Sequence, residues 1–231
     1  MTAVARPAAT VVLIRPDRSV LLIQRNRTMA FFGGAFAFPG GRIEATDLGL
    51  SIVHPWKGHQ MPVAGSDFTA SLDALYGAYV CGGVREVIEE TGIMLAHRSL
   101  VLWARWITPE LEQKRYDTLF FLAPVDADTD VQVDGGETVS HCWLTPEAAL
   151  AAMEKKELFL PPPTRMTLQE LSELPSREAM LATRPLPEIM PILQPDGNAL
   201  YLVLPGDPLH PQPAPRPWPV GVQTRMKIEM P

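Results

Sequence analysis

Glu86, Glu89 and Glu90 stand at i, i+3 and i+4 in the run Gly82-Gly83-Val84-Arg85-Glu86-Val87-Ile88-Glu89-Glu90-Thr91-Gly92-Ile93. On an α-helix this spacing puts all three carboxylates within an arc of about 100°. Three like charges on one face repel, so a helix gains no stability from them. A hard divalent cation reverses that sign, because carboxylate oxygens are the ligands that Mg²⁺ and Mn²⁺ prefer. Arg85, four residues before Glu89, is within reach of that carboxylate. Val84, Val87, Ile88 and Ile93 supply an apolar side, and Gly92 reads as the stop. The alternative reading of the triplet is a solvated acidic face.

What favours chemistry lies upstream. Phe38-Pro39-Gly40-Gly41-Arg42-Ile43-Glu44 reads as a strand end running into a tight Gly-Gly loop. This loop and the Arg-Glu-x-x-Glu-Glu-x-Gly helix resemble the two halves of the Nudix box. The second half matches from Arg85 to Ile93 at every fixed position. The first half departs twice. The acid that follows Gly41 after five residues is Asp47 rather than Glu, and 37 residues separate Asp47 from Arg85 where the family has seven. An insertion of about thirty residues thus splits the box. Leu21-Leu22-Ile23-Gln24-Arg25, Gly34 and Phe38-Pro39-Gly40-Gly41 resemble the upstream signature of coenzyme A diphosphatases, except that Ala30 stands where that signature has Arg. With the split, this flank is similar to the acyl-CoA diphosphatase branch, the nucleoside diphosphate-linked moiety X motif 19 type. The family resemblance spans about residues 8–155.

The resemblance implies an α+β fold, a Nudix α/β/α sandwich with a mixed sheet between helices. It carries an insertion inside the box and a C-terminal helical, Pro-rich extension. The expected division is a hydrolase domain over 1–157, with 48–68 as the insertion, and an annex over 158–231 packed on the same domain. It further implies Mg²⁺ or Mn²⁺ held by Glu86, Glu89, Glu90 and the Gly41 carbonyl, where glycine permits close backbone approach. Arg85 and Glu89 are expected in the catalytic set. Glu137 is a candidate general base or an exposed loop acid; Glu110 and Glu112 are further candidates. Arg25, Arg27 and Arg42 are candidate phosphate ligands, Arg offering a forked donor, or else solvated strand-end charges.

Length and composition set outer bounds. A chain of 231 residues that is 46% apolar can bury a full core. A net charge of −6 supplies no basic footprint for nucleic acid. Cys81 and Cys142 are too few for a disulfide framework or zinc site. No apolar run approaches the ~20 residues of a membrane span, and with no signal-peptide pattern the expected location is the cytoplasm.

In chain order, Ala9–Ile14 and Val20–Gln24 read as a hairpin around Pro16-Asp17-Arg18-Ser19. Leu48–Ser66 reads as the inserted loop, whose His54 and His59 lack partners at ligand spacing. A helix is expected from near Phe68 to Thr91. Gly77, Gly82 and Gly83 within it cost about 1 kcal/mol each, with close packing on a sheet as the return. Leu100–Ile107 and Tyr116–Pro124 read as strands, with Lys114 and Arg115 as site-mouth cations or loop charges. Asp126-Ala127-Asp128-Thr129-Asp130 lacks the Gly and Glu of a calcium loop. Thr145 and Pro146 begin a helix to about Lys156. After the Pro161-Pro162-Pro163 break, helices capped at Thr164 and Ser176 are expected, then a hairpin around Pro195-Asp196-Gly197-Asn198. Half of the 24 prolines lie from Pro185 onward, so the tail cannot build its own core and is read as wrapping the domain or the partner in a homodimer.

The functional expectation is a metal-dependent diphosphatase acting on a small nucleotide, coenzyme A or acyl-CoA first. ADP-ribose, nucleoside diphosphate sugars and dinucleoside polyphosphates are the alternatives within the class. A Nudix fold used as a ligand-binding sensor without turnover is the alternative outside it.

Overall fold

The structure is a computed structural model and describes residues 3–28, 32–49, 72–133, 135–183, 185–197 and 199–228. His54, His59, most of the expected insertion and the expected helix start near Phe68 lie outside the described residues.

Alternating apolar residues build the sheet. β1 (Arg6–Ile14) and β6 (Tyr116–Pro124) run parallel at its centre. β2 (Val20–Arg25), β3 (Phe36–Ala37) and β4 (Gly40–Arg42) follow β1 in the chain. β5 (Val101–Ile107) precedes β6, and β7 (Thr138–Leu144) and β8 (Glu188–Ile189) come later. Their order is β3-β2-β1-β6-β5-β8, with β4 also on β1 and β7 also on β2. Along β1 the residues Ala9, Val11 and Leu13 face one layer, while Val12 and Ile14 face the other. Leu119 and Phe121 of β6 alternate with Phe120 and Leu122 in the same way. A sheet with both faces apolar at period two has to be covered on both sides.

The first cover is α1 (Leu72–Thr91), which lays Tyr76, Tyr79, Val80, Val84 and Val87 on the Val11 face at helical spacing. The sequence-read glycines explain how closely it sits. A Cβ on Gly83 would stand 3.1 Å from Val11 Cγ2, and one on Gly82 2.6 Å from Ile43 Cδ1. The second cover combines α2 (Pro146–Glu154), α3 (Pro162–Ser172) and the short α4 (Arg177–Met180). Ala149, Met166, Leu168, Leu171 and Met180 from these helices share one core with Val12, Leu22 and Trp103.

Thr145 caps α2 as expected, accepting from the Ala148 N–H at 3.3 Å. Ser176 likewise caps α4, accepting from the Ala179 N–H at 3.2 Å. Thr164 does not cap α3. The helix starts earlier, at Pro162, with Pro161 in the capping position and no side-chain cap. Proline is tolerated in a first turn because its missing N–H has no intrahelical partner there. The Pro run therefore opens a helix.

β9 (Ile192–Asp196) and β10 (Ala199–Val203) form the expected hairpin, and β11 (Arg225–Ile228) adds a third strand from the tail. The tail wraps this domain: Trp218, Val222 and Met226 pack on the shared core, and the Trp218 Nε1–H donates to the Pro205 carbonyl at 2.8 Å. Cys81 is buried and Cys142 half-buried, and both are thiols rather than halves of a disulfide.

Candidate active site

Arg85 is the hub of the site. It leaves α1 one turn past the Gly82 contact and spreads its guanidinium over acceptors on four residues. Nε reaches Asp47 Oδ1 at 3.2 Å and Nη2 reaches Asp47 Oδ2 at 3.0 Å. Nη1 donates to Glu86 at 2.9 Å and to Glu89 at 3.2 Å, and Nη2 also donates to the Arg42 carbonyl at 2.8 Å. The helical spacing correctly places Glu89 within reach, yet Glu89 is the lesser partner, its side chain 58% exposed against 3% for Asp47. Asp47, a departure from the family pattern in sequence, is the buried clamp that orients Arg85. Its Oδ2 also accepts the Glu44 N–H at 2.8 Å. The two halves of the split box therefore close on each other directly.

The three box carboxylates occupy different settings. Glu90 is buried, and the Gly40 N–H donates to its Oε2 at 2.8 Å. Glu86 packs on Gly41, where a Cβ would stand 2.5 Å from its carboxylate. Only glycine allows this approach of β4 to α1, and it leaves the Gly41 backbone beside Glu86. Glu89 faces outward beside Arg85. Among the described residues no three carboxylate, imidazole or thiol groups already converge on one point as a metal cluster.

The electrostatics record the crowding. Burial pushes the Glu90 carboxyl up to about 8; the Gly40 N–H opposes this, the Glu86 charge adds to it, Arg25 opposes it and Glu137 adds again. Burial also raises Glu86, against the pull of Arg85 and with the further push of Glu89 and Glu137. Hydrogen bonding to Asp47 is the main cause that holds Arg85 above its ordinary value.

These couplings locate two sequence candidates. Glu137 is an exposed residue before β7 whose charge acts on both Glu86 and Glu90. Its carbonyl accepts the Asn26 N–H at 2.8 Å, beside the register shift at Gln24 and Arg25 where β2 meets β7. Arg25, at the end of β2, acts on Glu90. Arg27 is exposed, its stem beside Gly34. The Arg42 side chain is exposed too, and what the site uses of it is the backbone carbonyl. Glu110, Glu112 and Lys114 are exposed in the β5–β6 turn. Arg115 is structural, donating to the Thr108 and Ala3 carbonyls at 3.0 and 2.8 Å.

The donors at the box are oxygens throughout. Glu86, Glu89, Glu90, Asp47 and Glu137 outnumber the cations Arg85 and Arg25 whose pull on them is seen. An all-oxygen, anion-rich set with a buried carboxylate held next to two glycines fits Mg²⁺ or Mn²⁺.

Comparison with known proteins agrees. A family model described as the NUDT19 Nudix domain matches residues 92–171, from the end of the box helix through α3. The acyl-coenzyme A diphosphatase NUDT19 of Xenopus laevis is 25% identical over 274 residues, covering 85% of this chain and 72% of the relative. The human protein of the same name is 25% identical over 270 residues, covering 83% of this chain and 72% of the relative. A crystal structure of a NUDIX hydrolase from Alicyclobacillus acidocaldarius superposes with a TM-score of 0.63 at 25% identity, covering 79% of this chain and 97% of that one. These matches support a Nudix hydrolase. The relatives point to the NUDT19 type and to a diphosphatase, and the α+β fold with a mixed sheet is that of Nudix hydrolase structures.

Proposed function

We propose that this Nudix hydrolase cleaves the diphosphate of coenzyme A or acyl-CoA in the presence of Mg²⁺ or Mn²⁺, giving 3′,5′-ADP and a 4′-phosphopantetheine product. The observation that carries the reading is the closure of the split box, Asp47 to Arg85 at 3.0 Å, with Glu86, Glu89 and Glu90 intact. A box with all its acids in place favours turnover over a sensor role. The CoA assignment rests on the Leu21–Arg25 and Phe38–Gly41 flank and on the names of the relatives.

Glu86 and Glu90 would hold the cation, with Glu89 and the Gly41 carbonyl completing the set. A bound divalent ion supplies charge neutralisation for the diphosphate and lowers the pKa of water. Arg25 offers its fork to a phosphate oxygen from the β2 side. Arg85 is a positioning residue that fixes Glu86 and Glu89. Glu137, across the site from α1, accepts the proton of the attacking water as a phosphorus–oxygen bond forms and the bridging oxygen leaves with the other phosphate.

The test is incubation with Mg²⁺ and a panel of CoA, acyl-CoAs, ADP-ribose, NADH and dinucleoside polyphosphates in ¹⁸O water, read by mass spectrometry. Release of 3′,5′-ADP from CoA species is the expected result. Preferential cleavage of ADP-ribose or NADH would discard the CoA reading and keep the chemistry. Tight binding of one compound without turnover would make the protein a sensor.

A further inference from the structure

Phe32 and Phe159 hold their rings 6.2 Å apart at an interplanar angle of 54°. Both are exposed, at 37% and 56%. Phe32 also has φ +50°, in the left-handed region that bulky side chains rarely adopt. Two glycines follow it, either of which would take that conformation more easily. Strain of about 1 kcal/mol or more is thus retained at a partly exposed aromatic residue.

The pair is anchored to the site's edge. The Gly34 N–H donates to the Arg25 carbonyl at 3.0 Å, and the Arg25 N–H donates to the Ala35 carbonyl at 2.9 Å. The Phe36 N–H donates to the Phe159 carbonyl at 2.9 Å, tying the second ring to the same turn. Arg25 at the base of that turn is the cation that acts on Glu90. The Arg27 stem runs beside Gly34, with Cγ 3.3 Å from where a Cβ would stand. Aromatic faces next to cations suit a phosphorylated nucleoside, whose base stacks and whose phosphates pair. An acyl chain would use the rings but gain nothing from Arg27.

We propose that Phe32 and Phe159 form a stacking subsite for the nucleobase of the substrate's nucleoside half, with Arg27 as its phosphate-facing cation. This rests on the diphosphatase reading but not on coenzyme A as the substrate. The test is calorimetric binding, in Mg²⁺, of 3′,5′-ADP, 5′-AMP, ribose 5-phosphate and a short-chain S-acyl-4′-phosphopantetheine. The proteins are the natural chain and the Phe159→Ala, Phe159→Leu and Phe159→Trp variants, each checked by thermal melting. The expected result is a loss of about tenfold for both adenine nucleotides in Phe159→Ala. Phe159→Trp restores the affinity, Phe159→Leu does not, and ribose 5-phosphate binding is unchanged. Three results would overturn the subsite: rescue by Leu, a loss confined to the acyl-pantetheine compound, or no adenine binding by the natural chain. Equal binding of 5′-AMP and 3′,5′-ADP would count against coenzyme A alone and leave the subsite standing.

Discussion

Arg85 and Arg105 are both ringed by carboxylates, and they differ in what is left over. Arg105 on β5 is 5% exposed at its side chain. Its Nε and Nη2 hold Asp117 of β6 at 2.8 and 2.6 Å, and its Nη1 reaches Glu188 of β8 at 2.7 Å. Burial works against that charge, and Asp117 with Glu188 outweighs it. Both acids bond the arginine, and the three groups stitch the C-terminal annex to the central sheet. Arg85 is more open and holds Asp47, Glu86 and Glu89, while Glu90 takes the Gly40 N–H instead and its carboxyl is pushed up by burial and by the Glu86 charge. Arg105 ties its two acids to each other across the sheet, whereas Arg85 leaves the buried Glu90 beside Glu86, an arrangement whose oxygen donors suit a divalent cation.

The largest expected effect concerns the acids of the box helix. Glu90→Gln or Glu89→Gln should lower kcat by roughly a thousandfold or more while the fold melts cooperatively. Natural rates in both variants would end the catalytic assignment of the box. Glu137→Gln is expected to lower kcat by about a hundredfold, the scale of general-base catalysis, with KM little changed.

The two arginines should then separate. Arg85→Ala leaves Asp47 buried and unpaired, so urea denaturation should show a loss of about 3 kcal/mol together with loss of activity. Arg105→Met should also lose stability, yet its folded fraction should keep kcat within about twofold, because its described side-chain partners, Asp117 and Glu188, are not residues of the box. A large kcat loss in Arg105→Met would erase the distinction.

The pH dependence sharpens it further. Folded Glu90 keeps its proton up to about 8, whereas the unfolded chain releases it near the ordinary 4.5. The folded state binds this proton more tightly between these values, so the contribution of Glu90 to metal-free stability is full below about 4.5 and is lost as pH rises towards 8. Added Mg²⁺ should recover the loss most at the upper end, and Glu90→Gln should flatten this part of the slope. The smallest effect expected is that of Gly82→Ala. Helix propensity gains about 1 kcal/mol, but the new methyl would meet Asp47 Oδ2 at 3.0 Å as well as Ile43. Ile43 can turn aside and the clamped Asp47 cannot, so stability should barely change while kcat falls roughly tenfold.

Local spacing carried much of this in the sequence. Glu86, Glu89 and Glu90 declare one helix face, Thr145-Pro146 declares a helix start, and Gly82-Gly83 declares close packing. Each is a short-range rule with a short-range signal. The gaps come from pairings between distant residues. Asp47 read as a degenerate position because its partner is 38 residues on. The Gly40 N–H to Glu90 contact spans 50 residues. Arg105 with Glu188, and β11 on β10, depend on how the annex folds back, which no local pattern records. The Pro161-Pro162-Pro163 run read as a break because proline disfavours helix interiors, while its fit to a first turn decided the outcome.

Divalent-cation binding by Glu86 and Glu90 at the closed box underlies the proposed activity. It is tested most directly by Mn²⁺ titration followed by electron paramagnetic resonance, with the natural chain, Glu86→Gln, Glu90→Gln and Arg105→Met side by side. Mn²⁺ binding is expected for the natural chain and Arg105→Met, weakened at least tenfold in both Gln variants. Equal binding by all four proteins would contradict it.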